Sequence, residues 1–145
     1  NYGTNYKMRA GVALVGLGAL APDEAVYPNT NIDNRGNNLA GKNKYKIHFS
    51  TPPPNDAFWS ITMYDNEGFM VKNSINRYLI GDRNDLTFNA DGSLDIYIQH
   101  DQPETGISNW LPAPAEDFAI TMRIYRPRDE FLRGDWKLPS VEHVN

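Results

Sequence analysis

From Lys44 onward the chain adopts a period of two. Tyr45, Ile47 and Phe49 alternate with Lys44, Lys46 and His48, and the run Phe118-Ala119-Ile120-Thr121-Met122-Arg123-Ile124-Tyr125 repeats the pattern. Successive side chains of a strand point to opposite faces, so each run presents one apolar and one wetter face and has to cover a core on one side. Between them, Phe58-Trp59-Ser60-Ile61-Thr62-Met63-Tyr64 is apolar on both faces, which predicts a central strand. Punctuation is equally clear. Thr51-Pro52-Pro53-Pro54 stops the first strand, because proline cannot donate to a ladder. Asp65-Asn66-Glu67-Gly68 predicts a turn into a returning strand, Phe69-Met70-Val71. Leu86-Thr87-Phe88 and Leu94-Asp95-Ile96-Tyr97-Ile98-Gln99 flank Asn89-Ala90-Asp91-Gly92-Ser93, which predicts a hairpin turning on Asp91-Gly92.

The beginning of the chain follows another rule. Met8, Val12 and Val15 recur at near-helical spacing, and Asn5 or Thr4 can cap a helix over Tyr6 to Val15. The apolar run Ala10 to Ala21 is broken by Gly11, Gly16 and Gly18 and is shorter than the ~20 residues a membrane span requires. It is expected as a buried helix. An Asn/Asp/Gly-rich loop is expected from Asn29 to Asn43, a Pro-rich loop over Leu111-Pro112-Ala113-Pro114, a helical turn over Arg128 to Leu132 and an extended tail over Trp136 to Pro139. Short strands after a single helix give the expected fold: mainly β, an antiparallel jelly-roll-like β-sandwich with one N-terminal helix and a short C-terminal helical turn. The organisation expected is residues 1–22 as a packing or inter-domain helix and 23–145 as the β-domain.

Composition removes several functions. A formal net charge of −4 without a cluster of Lys and Arg is the wrong footprint for nucleic acid. With no cysteine, thiolate catalysis, disulfides and Cys-based metal sites are excluded. The three histidines, His48, His100 and His143, are too far apart for any local metal-ligand spacing, so no metal ligand is assigned. No serine sits in a G-x-S-x-G elbow, and Gly16-Leu17-Gly18 lacks the third glycine of a dinucleotide loop. No cofactor is assigned.

What remains is polar chemistry at strand ends. His100 follows a strand and has Asp101 beside it and Asp82 in the preceding loop, so with an acidic partner it could serve as a general base; the blander alternative is a hydrogen bond from its ring to backbone. Arg77 could grip a carboxylate or phosphate with its fork, or, like Arg83, pair with Asp82 or Asp101 to pin the connection. Trp59, Tyr64, Asn76, Arg77, Asn109 and Trp110 are the candidate ligand-binding residues, Asn109-Trp110 placing an amide beside an aromatic plate, although a tryptophan is more often core.

Longer motifs carry a family likeness. Phe58 to Tyr64, Asn76-Arg77-Tyr78, Gly81-Asp82-Arg83, Asn89-Ala90-Asp91-Gly92-Ser93-Leu94, Ile98-Gln99-His100, Asn109 to Pro114 and Trp136-Lys137 together resemble the C-terminal domain of bacterial proteins built from the domains of unknown function numbered 1254 and 1214, this chain resembling the 1214 part. The resemblance implies a jelly-roll-like domain preceded by a second, mostly β domain, in proteins often exported or periplasmic. It implies a partner in that missing domain or a companion chain, allows a homo-oligomer and supplies no reaction. A start at Asn1 without an initiator fits a fragment or processed product. Three functions follow as expectations. The first is binding of a polar organic ligand in a pocket or inter-domain cleft; the second is a hydrolase-like enzyme with His100 as base, Asp101 as its acid partner and Arg77 as anion stabiliser; the third is a purely structural or assembly role.

Overall fold

The computed structural model describes residues 4–15 and 20–144, with backbone alone for 13–15. Two sheets face each other across one core. In chain order the elements are α1 (Tyr6–Val15), β1 (Ala25–Val26), β2 (Asn29–Thr30), β3 (Lys44–Phe49), β4 (Asn55–Asp65), β5 (Leu79–Gly81), β6 (Leu94–Gln99), a 3-10 turn (Ile107–Asn109), β7 (Trp110–Pro112), β8 (Phe118–Pro127), α2 (Asp129–Leu132) and β9 (Glu142–Val144). One sheet runs β1-β8-β4-β5 with β2 also on β8, and the other runs β7-β6-β3-β9. All pairings are antiparallel except β6 with β7. The mainly β sandwich with one N-terminal helix and a short C-terminal one is the architecture that the period-two runs predict.

The alternation sets which faces meet. Trp59, Ile61 and Met63 of β4 and Ile120, Met122 and Ile124 of β8 are buried against Tyr45, Ile47 and Phe49 of β3 and Leu94, Ile96 and Ile98 of β6. β4 is central, as its two apolar faces predict, with β8 on one edge and β5 on the other. Its outward residues Ser60 and Thr62 are nevertheless buried.

Four local expectations need correction, the first being the Pro-rich loop over Leu111 to Pro114, whose Leu111 and Pro112 belong to β7. The turn over Asn89 to Ser93 forms, with Gly92 at φ +84° and Asn89 N–H donating to Ser93 O at 2.8 Å, but Leu86–Phe88 is not a strand of the expected hairpin. β6 pairs with β3 on one edge and with β7, in parallel, on the other, so no edge is left for Leu86–Phe88. The returning strand Phe69–Val71 reduces to one bridge, Tyr64 to Met70, because β5 takes the edge of β4 and leaves Phe69 and Met70 exposed. Lastly, α1 is not buried over its described side chains. Tyr6 and Met8 are 71% and 53% exposed, and nothing lies within 4 Å of where a Gly11 side chain would start. The Asn5 cap is present, its Oδ1 accepting the Met8 N–H at 3.1 Å. Gly16 to Ala19, the middle of the expected apolar run, lie outside the described residues.

Candidate functional site

β6 and β7 lie side by side in parallel, so the chain leaves both at one end of the four-stranded sheet. His100 and Asp101 follow β6 there, and Ala113 follows β7. The His100 ring bonds through Nδ1 to Ala113 O at 3.0 Å, not to Asp101 or Asp82. A carbonyl only accepts, so Nδ1 carries the proton and Nε2 of the neutral ring is left as an acceptor. The strand ends are tied below this point: Ala113 N–H and Trp110 Nε1–H both donate to Gln99 O at 3.0 Å.

The facing wall comes from the loop after β4. Asn73 shapes it with its own amide, Oδ1 accepting the Arg77 N–H at 3.0 Å and Nδ2 donating to Arg77 O at 2.8 Å. Asn76 sits exposed at the apex, at φ +52°, in the left-handed region that asparagine tolerates better than most residues. Between the walls lies a cleft of about 380 Å³ lined by Lys72, Asn73, Ser74, His100, Asp101 and Gln102, with Trp110 and Pro112–Pro114 behind them. Neither Lys72 nor Asp101 forms an ion pair among the described residues.

The candidate residues separate into those at this cleft and those elsewhere. His100, Asp101 and Trp110 come together, although Trp110 is 2% exposed and contributes mainly as packing. Arg77 is adjacent with one end of its guanidinium committed: Nη1 donates to Ile107 O at 2.8 Å, Ser108 O at 3.2 Å and Trp110 O at 2.8 Å, holding the 72–77 loop onto the 3-10 turn. Its expected pairing with Asp82 or Asp101 does not occur. Arg83 instead lies 4.1 Å over the Phe58 ring, and Asp82 accepts the Trp59 N–H at 3.2 Å. Burial raises the Asp82 carboxyl above its usual range, against the opposing pull of that N–H and of Arg83.

Asn109 is an internal strut. Its Oδ1 accepts the Thr87 N–H at 2.8 Å, and its Nδ2 donates to Thr87 O at 2.7 Å and to Asp95 O at 2.9 Å. Trp59 is enclosed between the sheets, with its ring 5.5 Å from that of Phe49. Tyr64 lies on the outer face of the five-stranded sheet, remote in the fold from β6 and β7, and its hydroxyl accepts from Arg123 Nη2 at 2.7 Å.

Three features escaped sequence reasoning. Lys72 carries no local motif. Arg123 occupies the wet face of a strand, and only the register brings it to Thr62 and Tyr64. His48 and Asp95 are directly opposed on β3 and β6, with Nδ1 and Oδ1 2.6 Å apart and Lys46 at 3.8 Å. Both sit at wet-face positions of alternating strands, which was the available signal, but their pairing needs a register that alternation cannot supply. Among the described residues, no three His, Asp or Glu side chains cluster closely enough to hold a metal ion.

This is a polar cleft at one end of a two-sheet β-sandwich. The chain belongs to a family described as protein of unknown function (DUF1214), whose pattern matches residues 24–129. The crystal structure of the VPA0106 protein from Vibrio parahaemolyticus matches 95% of this chain at 32% identity with a TM-score of 0.84. An uncharacterised protein from Burkholderia cenocepacia matches 88% at 20% identity with a TM-score of 0.55, a likeness of fold alone. This chain spans 35% of the first of those chains and 31% of the second. No curated protein matches it. Among the described residues no helix is long and apolar enough to cross a membrane.

Proposed function

We propose that this domain binds a small polar organic molecule in the cleft between the 72–74 loop and the ends of β6 and β7. The supporting observation is the bond between His100 Nδ1 and Ala113 O, which leaves Nε2 as an acceptor beside an ammonium and a carboxylate that form no ion pairs among the described residues. The volume, about 380 Å³, lies within the ~300–1,000 Å³ typical of small-molecule sites. Lys72 attracts an anionic group, and Ser74 and Gln102 offer hydroxyl and amide partners.

A second reading rests on the same tautomer. An Nε2 lone pair held by a backbone bond on the other ring nitrogen is the state a general base requires, so a hydrolase-like reaction would use His100 for the proton and Lys72, rather than the carbonyl-bound Arg77, for the developing anion. The wider setting is also part of the proposal: a domain placed after a second β-domain in an exported bacterial protein, in line with the 35% of the Vibrio chain that it spans. The test is thermal unfolding against a panel of carboxylates, amides and sugars, since binding to the native state must raise the melting temperature. The expected result is a rise for at least one anionic member that Lys72→Ala and His100→Ala both abolish. No rise across the panel, or a rise indifferent to both substitutions, would refute the assignment of this cleft. Ester or amide turnover that survives His100→Ala would exclude the enzymatic reading.

A further inference from the structure

On the outer face of the five-stranded sheet, β8 presents Ala119, Thr121 and Arg123 beside Tyr64 and Thr62 of β4, with Asn29 of β2 opposite Thr121 on the other edge. The Arg123 guanidinium lies along this surface, half-buried. Its Nη1 donates to Thr62 Oγ1 at 2.8 Å and its Nη2 to the Tyr64 hydroxyl at 2.7 Å. Both acceptors are neutral, and the Thr62 hydroxyl is enclosed, its residue being 3% exposed. A guanidinium has five N–H donors; two are used here, so three have no partner among the described residues, and no carboxylate comes within ion-pair distance.

Arg128 and Arg133 are met by aspartates. Arg123, like Arg77, meets only neutral oxygens, but Arg77 Nη1 is held among three backbone carbonyls, whereas Arg123 lies at an open cleft. A partly desolvated cation gains most from an anion that reaches it together with matched acceptors, and a planar fork favours carboxylate geometry. Around it is room for one. A cleft of about 640 Å³ is lined by Asn29, Thr30 and Asn31 on one side, by Tyr64, Asp65, Asn66 and Gly68 on the other, and by Ala119, Thr121 and Arg123 along its floor.

The remaining groups define the rest of the ligand. Asn29, Asn31, Asn66 and Thr121 can each donate and accept, the pattern that recognises hydroxyl groups rather than an alkyl chain. The far end is acidic: Asp65 uses Oδ1 on the N–H groups of Glu67 and Phe69 and keeps Oδ2 as an acceptor. Asp65 lies opposite Phe118, five positions along β8 from Arg123, and the two charges form no ion pair. We propose that this cleft is a second binding site, for a small hydroxylated carboxylate of the sugar-acid type, with its carboxylate on Arg123 and its hydroxyls on Thr121 and the neighbouring asparagines.

The experiment is a titration of the isotope-labelled chain, followed by amide shifts, with galacturonate, galactose and acetate as probes. Galacturonate is expected to shift residues 29–31, 64–68 and 119–123, and to bind at least about tenfold more tightly than galactose or acetate. Arg123→Gln should weaken it by about tenfold or more, and Asn31→Ala by less. Tyr64→Phe, which keeps the ring and removes one acceptor of the guanidinium, keeps the question answerable if Arg123→Gln does not fold: it should alter galacturonate affinity and leave galactose unaffected. Lys72→Ala and His100→Ala should leave these shifts unchanged, so failure here is separable from failure at the β6–β7 cleft. Absence of shifts in these segments at tens of millimolar galacturonate, or equal response to galacturonate and galactose, would overturn the proposal.

Discussion

Asn109 offers a direct measurement of what a costly side chain does in this fold. Its carboxamide stands where a strand would: it takes the Thr87 N–H and gives its own N–H groups to the carbonyls of Thr87 and Asp95, at 2.7 to 2.9 Å, in a site 4% exposed. Asn109→Ala removes all three bonds to backbone, together with a longer one from Ser108 Oγ at 3.2 Å, and takes the amide from one backbone donor and two backbone acceptors. At about 1 kcal/mol net for each bond, the loss is about 3 kcal/mol. With an m-value of roughly 2 kcal/mol per molar, the urea midpoint should fall by about 1.5 M at unchanged slope. Asn109→Asp is the sharper variant. It keeps the acceptor for the Thr87 N–H but turns a carboxylate oxygen toward two carbonyls, so at neutral pH it should cost at least as much as alanine. The assay is equilibrium unfolding in urea followed by tryptophan fluorescence. A loss below about 1 kcal/mol for alanine, or an aspartate variant as stable as the native chain, would refute the strut assignment.

Two further stability predictions come from other parts of the sandwich. A side chain at Gly81 would start 2.1 Å from Trp59 O and 2.9 Å from Ser60 Cα, so Gly81→Ala has to part β4 from β5; thermal unfolding should show a loss of about 2 kcal/mol or more, and a melting temperature within a degree of the native one would contradict the close approach. The Asp82 carboxyl is raised by burial above its ordinary 3.8, so the folded chain holds that proton more tightly than the unfolded one. Its contribution is fully present below about pH 4 and is lost as pH rises through the folded value; the effect is small because the residue keeps much of its surface in water. Asp82→Asn, which cannot titrate, should flatten the decline in stability above about pH 4 in urea titrations, and an unchanged slope would remove Asp82 as its source.

The strands were readable where burial is one-sided. β3, β6 and β8 each carry an uninterrupted alternation, and each buries the residues that the alternation selects. Pairing was less readable, because alternation fixes the face of a strand and not its neighbour. Leu94–Gln99 could have closed a hairpin on Leu86–Phe88, and the turn between them was correct. The edge of β6 went to Trp110–Pro112 through a longer connection, and Asn109, the residue before it, then supplied Thr87 with side-chain bonds in place of a ladder. The prolines around β7 disguised it: Pro112 and Pro114 read as loop, yet Pro112 ends a three-residue edge strand, where a missing donor does little harm. β9 is as short and lies near the end of the chain, where no turn signal announced it.

The same reasoning separates candidate side chains more sharply than residue type does. Trp59, Asn109, Trp110 and Arg77 were attractive because they are expensive to place, but expense has two uses. A polar group whose donors and acceptors are filled by the fold is part of the scaffold, and a ligand reaches it only by breaking native bonds, each worth about 1 kcal/mol. Asn109 and the Nη1 end of Arg77 are of this kind, and the Trp110 N–H is likewise taken by Gln99 O. The groups with unspent capacity at the two clefts include His100 Nε2, the Lys72 ammonium and three N–H donors of Arg123. Two of these three residues, Lys72 and Arg123, sit in no motif that a sequence scan would single out. The two proposed clefts hold separate cations, and their separate responses to Lys72→Ala and Arg123→Gln determine whether the domain receives no anion, one or two.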